Sequence, residues 1–149
     1  MKRWMMLTFL LCVFALTACG ARKPPEEPPE RNMITITVPE EVVEATVFVD
    51  MGPDSYWCRY TDPEDVESLT ALLEQIGERP EYPKENEPFA GFTDTVTLIC
   101  ADGSKEKYAW CSPCVMQGDG PWCELSQEEG EWLRLWLAEH GSDEISKLN

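Results

Sequence analysis

Five cysteines stand between Met33 and the C-terminus, at positions 58, 100, 111, 114 and 123, and they are the residues of this chain best suited to chemistry. Two of them form Cys111-Ser112-Pro113-Cys114, the spacing of a dithiol couple. In a redox protein such a pair sits at a helix N-terminus, whose dipole lowers the first thiol's pKa. Here the motif follows a strand-like segment and leads into Val115-Met116 and a glycine turn, so that dipole is missing. A zinc or iron–sulfur site needs four ligands, and a second Cys-x-x-Cys is absent, so no metal is assigned. The favoured reading is one structural disulfide, with the remaining thiols buried as small hydrophobes.

The partners of that disulfide follow from a hairpin register. Cys114–Met116 and Pro121–Leu125 read as strands joined through Gln117-Gly118-Asp119-Gly120. A four-residue loop sets Met116 opposite Pro121 and Cys114 opposite Cys123, which makes Cys114 and Cys123 the candidate disulfide. Directly opposed Cβ atoms lie about 4.5–5.5 Å apart, within reach of a bridge after modest adjustment. Cys100 and Cys111 are expected on opposite faces of their own hairpin.

Other catalytic templates are missing. His140 is the sole histidine and falls near a helix end, where it meets the dipole. There is no Ser-His-Asp order, phosphate-binding glycine loop or His-Glu-x-x-His. Acidic neighbours such as Glu40-Glu41 and Glu128-Glu129 read as solvated charge. No catalytic residue and no cofactor is assigned, and the expectation is that the chain is not an enzyme.

The N-terminus carries a different chemistry. Met1-Lys2-Arg3 is positive, and Trp4 to Leu16 is apolar except for Thr8. That is the length of a signal-peptide core and short of the roughly 20 residues that span a bilayer. It ends in Leu16-Thr17-Ala18-Cys19-Gly20, which resembles the lipobox of bacterial lipoprotein precursors. The resemblance implies cleavage between Ala18 and Cys19, a diacylglyceryl group on the Cys19 thiol, and palmitate-type acyl chains that hold the protein to the cell membrane. At about 0.8 kcal/mol per buried methylene, two or three chains anchor far more firmly than one. Cys12 leaves with residues 1–18.

Residues 19–32 then read as lipidated cysteine and tether. Arg22-Lys23-Pro24-Pro25-Glu26-Glu27-Pro28-Pro29-Glu30-Arg31 has nothing apolar to bury and stays extended, so residues 20–32 reach roughly 40 Å from the bilayer. Loss of Lys2 and Arg3 leaves 10 Lys plus Arg against 28 Asp plus Glu, a formal charge of −18. With no basic stripe to neutralise phosphates, nucleic acid is excluded as a partner. Anionic headgroups are excluded as well, so contact with the membrane falls to the lipid on Cys19.

The elements that must carry the cysteines read as α+β, in a single domain over residues 33–141 followed by a tail over 142–149. Ile34, Ile36 and Val38 alternate with threonines, and Val43, Ala45, Val47 and Val49 continue the period of two. Ser55–Tyr60 is a third strand. Asp62 caps a helix that Pro63 opens, with Val66, Leu69, Leu72, Leu73 and Ile76 on one face and Gly77 behind it. Thr93–Ala101 and Ser104–Cys111 form a hairpin. A three-residue loop, Ala101-Asp102-Gly103, sets Val96, Leu98 and Cys100 on one face with Tyr108 and Trp110. Ser126 with Glu129 makes a capping box for a last helix ending at His140. The expected fold is an antiparallel sheet of about five or six strands with two helices packed on one face.

Three cysteines follow tryptophans, in Trp57-Cys58, Trp110-Cys111 and Trp122-Cys123, and each pair must split between the two faces of the sheet. The core is the favoured place for the tryptophans; on an open face they would make a binding surface. Tether, early strand pair, Asp-Pro-Glu helix start and late aromatic hairpin together resemble small envelope lipoproteins of Gram-positive bacteria. That resemblance places the domain on the outer face of the cell membrane and implies no activity. The function expected is a displayed binding module for an envelope protein or polymer. The alternatives are a thiol/disulfide protein using Cys111 and Cys114, or an inhibitor of an extracellular hydrolase.

Overall fold

Backbone alternation builds the main layer. In the computed structural model, which describes residues 30–83, 92–141 and, by backbone alone, 144–147, nine strands and three helices are assigned. The strands are β1 (Met33–Thr35), β2 (Val42–Val49), β3 (Tyr56–Tyr60), β4 (Glu78–Pro80), β5 (Asp94–Cys100), β6 (Lys105–Cys111), β7 (Cys114–Gln117), β8 (Trp122–Glu124) and β9 (Glu144–Lys147). The helices are α1 (Pro63–Ile76), α2 (Gln127–Gly130) and α3 (Trp132–His140). Seven strands form one antiparallel sheet in the order β8-β7-β6-β5-β2-β3-β9, and β1 pairs with β4 in a second, two-stranded sheet. The fold is α+β, as expected; β4 and β9 are strands that the sequence pattern did not indicate, β9 at an edge of the large sheet and β4 in the small one.

One face of the large sheet is the core. Ala45, Val47 and Val49 of β2, Cys58 and Tyr60 of β3, Val96 and Leu98 of β5, and Tyr108 and Trp110 of β6 are buried there. α1 brings Val66, Leu69, Leu73 and Ile76 onto it, and α3 brings Leu133 and Trp136. Asp62 accepts from the Glu64 amide at 2.9 Å and Pro63 occupies the first turn, so α1 starts where its cap chemistry places it. Ser126 and Glu129 complete a reciprocal capping box on α2, with a break at Glu131 before α3 where a single helix was expected.

Specific side chains fasten the helices to the sheet. The Trp110 indole donates to the Gly130 carbonyl at 2.9 Å. Trp136 meets Tyr60 edge-on at 4.9 Å and donates to Ser68 Oγ at 2.9 Å, joining α3 to α1. His140 stacks on Trp136 at 4.4 Å, and its Nε2 lies 3.2 Å from Ser68 Oγ. This histidine serves packing between the helices as well as the helix end. At the other end of the core Asp94, almost wholly buried, accepts from the Asp50 amide at 2.9 Å and from Arg134 at 2.5 and 2.8 Å. Burial pushes the Asp94 carboxyl up and its Arg134 partner pulls it back. That ion pair closes α3 over the ends of β2 and β5.

Two expectations are corrected by the topology. Residues 142–149 are not simply a tail beyond the domain, because Glu144–Lys147 pairs with Tyr56–Arg59 as the last strand of the sheet. The two early strands do not pair with each other: β1 pairs with β4, and Ile36, just past β1, donates to the Gly77 carbonyl at 2.9 Å. Alternation in a strand fixes which face it buries and leaves its neighbour open, and here the neighbour comes from beyond α1.

Candidate functional site: the open sheet face and the cysteine hairpin

The β5–β6 hairpin follows the register read from its turn. Leu98 pairs with Glu106 and Val96 with Tyr108, and Gly103 takes the left-handed backbone, φ +83°, that a three-residue loop requires. Cys100 therefore shares the helix-side face with Val96 and Leu98, and Cys111 points to the other side.

The next hairpin differs from its expected register by one residue. Met116 pairs with Trp122, Val115 with Cys123 and Cys114 with Glu124. Cys114 and Cys123 therefore lie on opposite faces, and the candidate Cys114–Cys123 disulfide is not formed; none of the five cysteines is bonded to another. The reason lies in Pro121. Without an N–H it cannot take the first ladder position, so the loop absorbs it and runs over 117–121, with Gly120 donating to the Gln117 carbonyl at 3.0 Å. A shift of one residue exchanges every side chain between faces.

The sequence reading did not anticipate how β6 meets β7. Ser112-Pro113 is a two-residue turn with a cis peptide bond, and it sets Cys111 directly opposite Cys114. Both thiols project from the face away from the helices. Cys111 is half-buried and Cys114 is 1% exposed, its Sγ donating to the Cys111 carbonyl at 2.9 Å. The legible signal was a Ser-Pro pair between two short strand-like runs.

The three tryptophan–cysteine pairs do split between faces. Trp110 is buried with the helices, whereas Trp57 and Trp122 stand on the opposite face while Cys58 and Cys123 enter the core. Burial pushes the Cys123 thiol up to about 11, with the charge of Glu81 adding to it.

The face away from the helices is a candidate surface. Across it runs one unbroken row of directly paired residues: Trp122, Met116, Ala109, Thr95, Phe48 and Trp57. With strands about 4.8 Å apart, six positions extend over about 24 Å. Phe48 and Trp57 are in ring contact at 4.8 Å, and Trp57 is 38% exposed. A polar row lies beside it, formed by Lys107, Thr97, Thr46 and Arg59 in consecutive pairings, with Lys105 beyond. Arg59 binds Glu44 through two hydrogen bonds at 3.1 and 2.8 Å and holds that carboxyl below its ordinary value. Residues 33–149 contain seven Lys or Arg, and three of them, Arg59, Lys105 and Lys107, lie on this face.

On the other side of the molecule, a groove of about 580 Å³ runs between the β1–β2 connection and α1. Its floor includes Val38, Val42 and Val66, and Glu40, Glu41, Glu67 and Glu74 rim it. Four carboxylates make it repel an anionic ligand. Among the described residues no group of three or more His, Cys, Asp or Glu side chains could hold a metal ion, and no helix is long and apolar enough to cross a membrane. Ala18, Cys19 and the tether before Glu30 lie outside the described residues. No family model matches the chain, and no significant match is found to a curated protein or to a solved structure.

Proposed function

We propose that this chain is a lipoprotein held on the outer face of a bacterial cell membrane through Cys19, and that its open sheet face binds an extended anionic polymer of the envelope. The observation that carries the reading is the row from Trp122 to Trp57, with Trp122, Phe48 and Trp57 as its aromatics and cations alongside, on a domain otherwise strongly acidic. Aromatic faces give large apolar contact at small entropic cost, and aromatics and arginine carry most of the energy at binding surfaces. A linear row without a pocket suits a chain-like ligand better than a small one. Lys105 and Lys107 attract negative charge to a face that the rest of the domain would repel it from. The signal Leu16-Thr17-Ala18-Cys19 supports delivery to that compartment.

The test has two arms. The protein should co-sediment with purified anionic envelope polymer, and Trp57→Ala should weaken binding about tenfold, the equivalent of ~1.4 kcal/mol. Lys107→Glu should weaken it most at low salt, where charge is least screened. Equal binding by wild type and Trp57→Ala would remove the face from the function. Capture of an envelope protein instead of polymer would reassign the face to a protein partner. Separately, Cys19→Ser should abolish incorporation of a fatty-acid probe; unchanged labelling would end the lipoprotein reading.

A further inference from the structure

We propose that Cys111 and Cys114 form a reversible disulfide site on the open face, entered through Cys111 and closed by Cys114. The two residues are Cα partners across the Ser112-Pro113 turn, and strand alternation turns both side chains to the same side. Directly opposed residues have Cα atoms about 4.5–5.5 Å apart, inside the range that disulfides span. Cys114 Sγ already sits 2.9 Å from the Cys111 carbonyl, against the residue it would bond. The other three cysteines cannot compete. Cys58 and Cys123 belong to the core on the far side of the sheet, and Cys100 lies beside Leu98 on that same side.

The difference in burial orders the chemistry. Cys111 is within reach of a reagent, while Cys114 at 1% exposure is not. The Cys111 thiolate attacks a low-molecular-weight or protein disulfide, forming a mixed disulfide and expelling one thiolate. The Cys114 thiolate then attacks the Cys111 sulfur, which breaks the mixed disulfide and expels the second. Cys111 and Cys114 lose two electrons and two protons, and the incoming disulfide becomes two thiols. Bridging ties β6 to β7 two ladder positions from the Ala109–Met116 pair of the row from Trp122 to Trp57, on the same face. The proposal rests on the export reading only for its supply of oxidant, since disulfides persist outside the cytoplasm.

The experiment equilibrates the mature protein, extracted in detergent, with glutathione buffers of increasing oxidised fraction, then alkylates and maps peptides without reduction. The expected result is one two-electron transition and a single 111–114 link. Cys114→Ser should accumulate a glutathione adduct on Cys111, and Cys111→Ser should show neither adduct nor link. A bridge involving Cys58, Cys100 or Cys123 overturns the proposal. So does full retention of both thiols in excess oxidised glutathione. None of these readouts depends on the lipid at Cys19 or on polymer binding, so each reading can fail without the other.

Discussion

Cys123 shows how much one buried thiol contributes to the limits of the fold. It has no exposed surface, faces Val115 across β7 and β8, and belongs to the core cluster. Its ionisation is displaced from 9.0 to about 11, by burial first and then by Glu81. An acid that holds its proton more tightly when folded contributes stability that is complete below its unfolded value. That contribution is lost as pH rises toward the folded one. At about 1.4 kcal/mol per unit, the cost between pH 9 and pH 11 is about 2–3 kcal/mol from this residue. Tyr60 and Tyr108, both wholly buried and both displaced upward chiefly by burial, extend the loss above 10.0. Urea midpoints measured under reductant should therefore fall steeply above pH 9, and Cys123→Val should flatten the first part of that fall. A midpoint constant from pH 8 to 11 would contradict the burial of these groups.

Between elements, the Ser112-Pro113 turn comes up against α2 at Gly130. A Cβ placed on Gly130 would come within 2.3 Å of Ser112 Oγ, 3.2 Å of Ser112 Cβ and 3.3 Å of Pro113 Cα. Gly130→Ala turns the Ser112 hydroxyl aside and presses on Ser112 Cβ and Pro113 Cα, beside the Trp110 hydrogen bond to the Gly130 carbonyl. The expected loss is about 1–3 kcal/mol, the range for overpacking. Ser112→Ala in the same chain should recover part of it, since the shortest contact disappears and the other two remain. Wild-type stability of Gly130→Ala in chemical denaturation would show that the contact is not made. This approach was invisible in the sequence because it joins two turns that are only neighbours in space. What was legible was local: the Asp62-Pro63 start of α1, the Ser126–Glu129 box, and the Gly103 turn that set the register of β5 on β6. The β7–β8 register was misread by one residue at Pro121, and that residue decided which cysteines could meet. The Cys111–Cys114 pair was named from its spacing, but its face and its opposition needed the pairing of β6 with β7.

For the molecule as a whole, the sheet has two sides of different character and two edges of different protection. The helix side holds the core, and the other side displays the aromatic row. At one edge, beside β8, the chain after β4 closes in, with Glu81 bridging to Cys123 and Tyr82 donating to the Trp122 carbonyl at 2.7 Å. The opposite edge depends on β9, four residues at the very end of the chain, whose register runs from Tyr56–Lys147 to Arg59–Glu144. In Ser142-Asp143-Glu144-Ile145-Ser146-Lys147 Ile145 is the one apolar residue, so this strand has little hydrophobic reason of its own to be there. It covers the outer edge of β3. Stopping the chain at Gly141 would uncover the outer backbone groups of β3, and an uncovered strand beside exposed Trp57 is a template for another chain. The truncated protein is expected to remain folded at low concentration and to self-associate as concentration rises, through strands added edge to edge. Light scattering during chromatography separates the cases, and a truncated protein that stays monomeric at high concentration would show that β9 guards nothing. The practical consequence reaches anyone who fuses a tag or a reporter here: Glu144–Lys147 is to be kept, because it covers the outer backbone groups of β3.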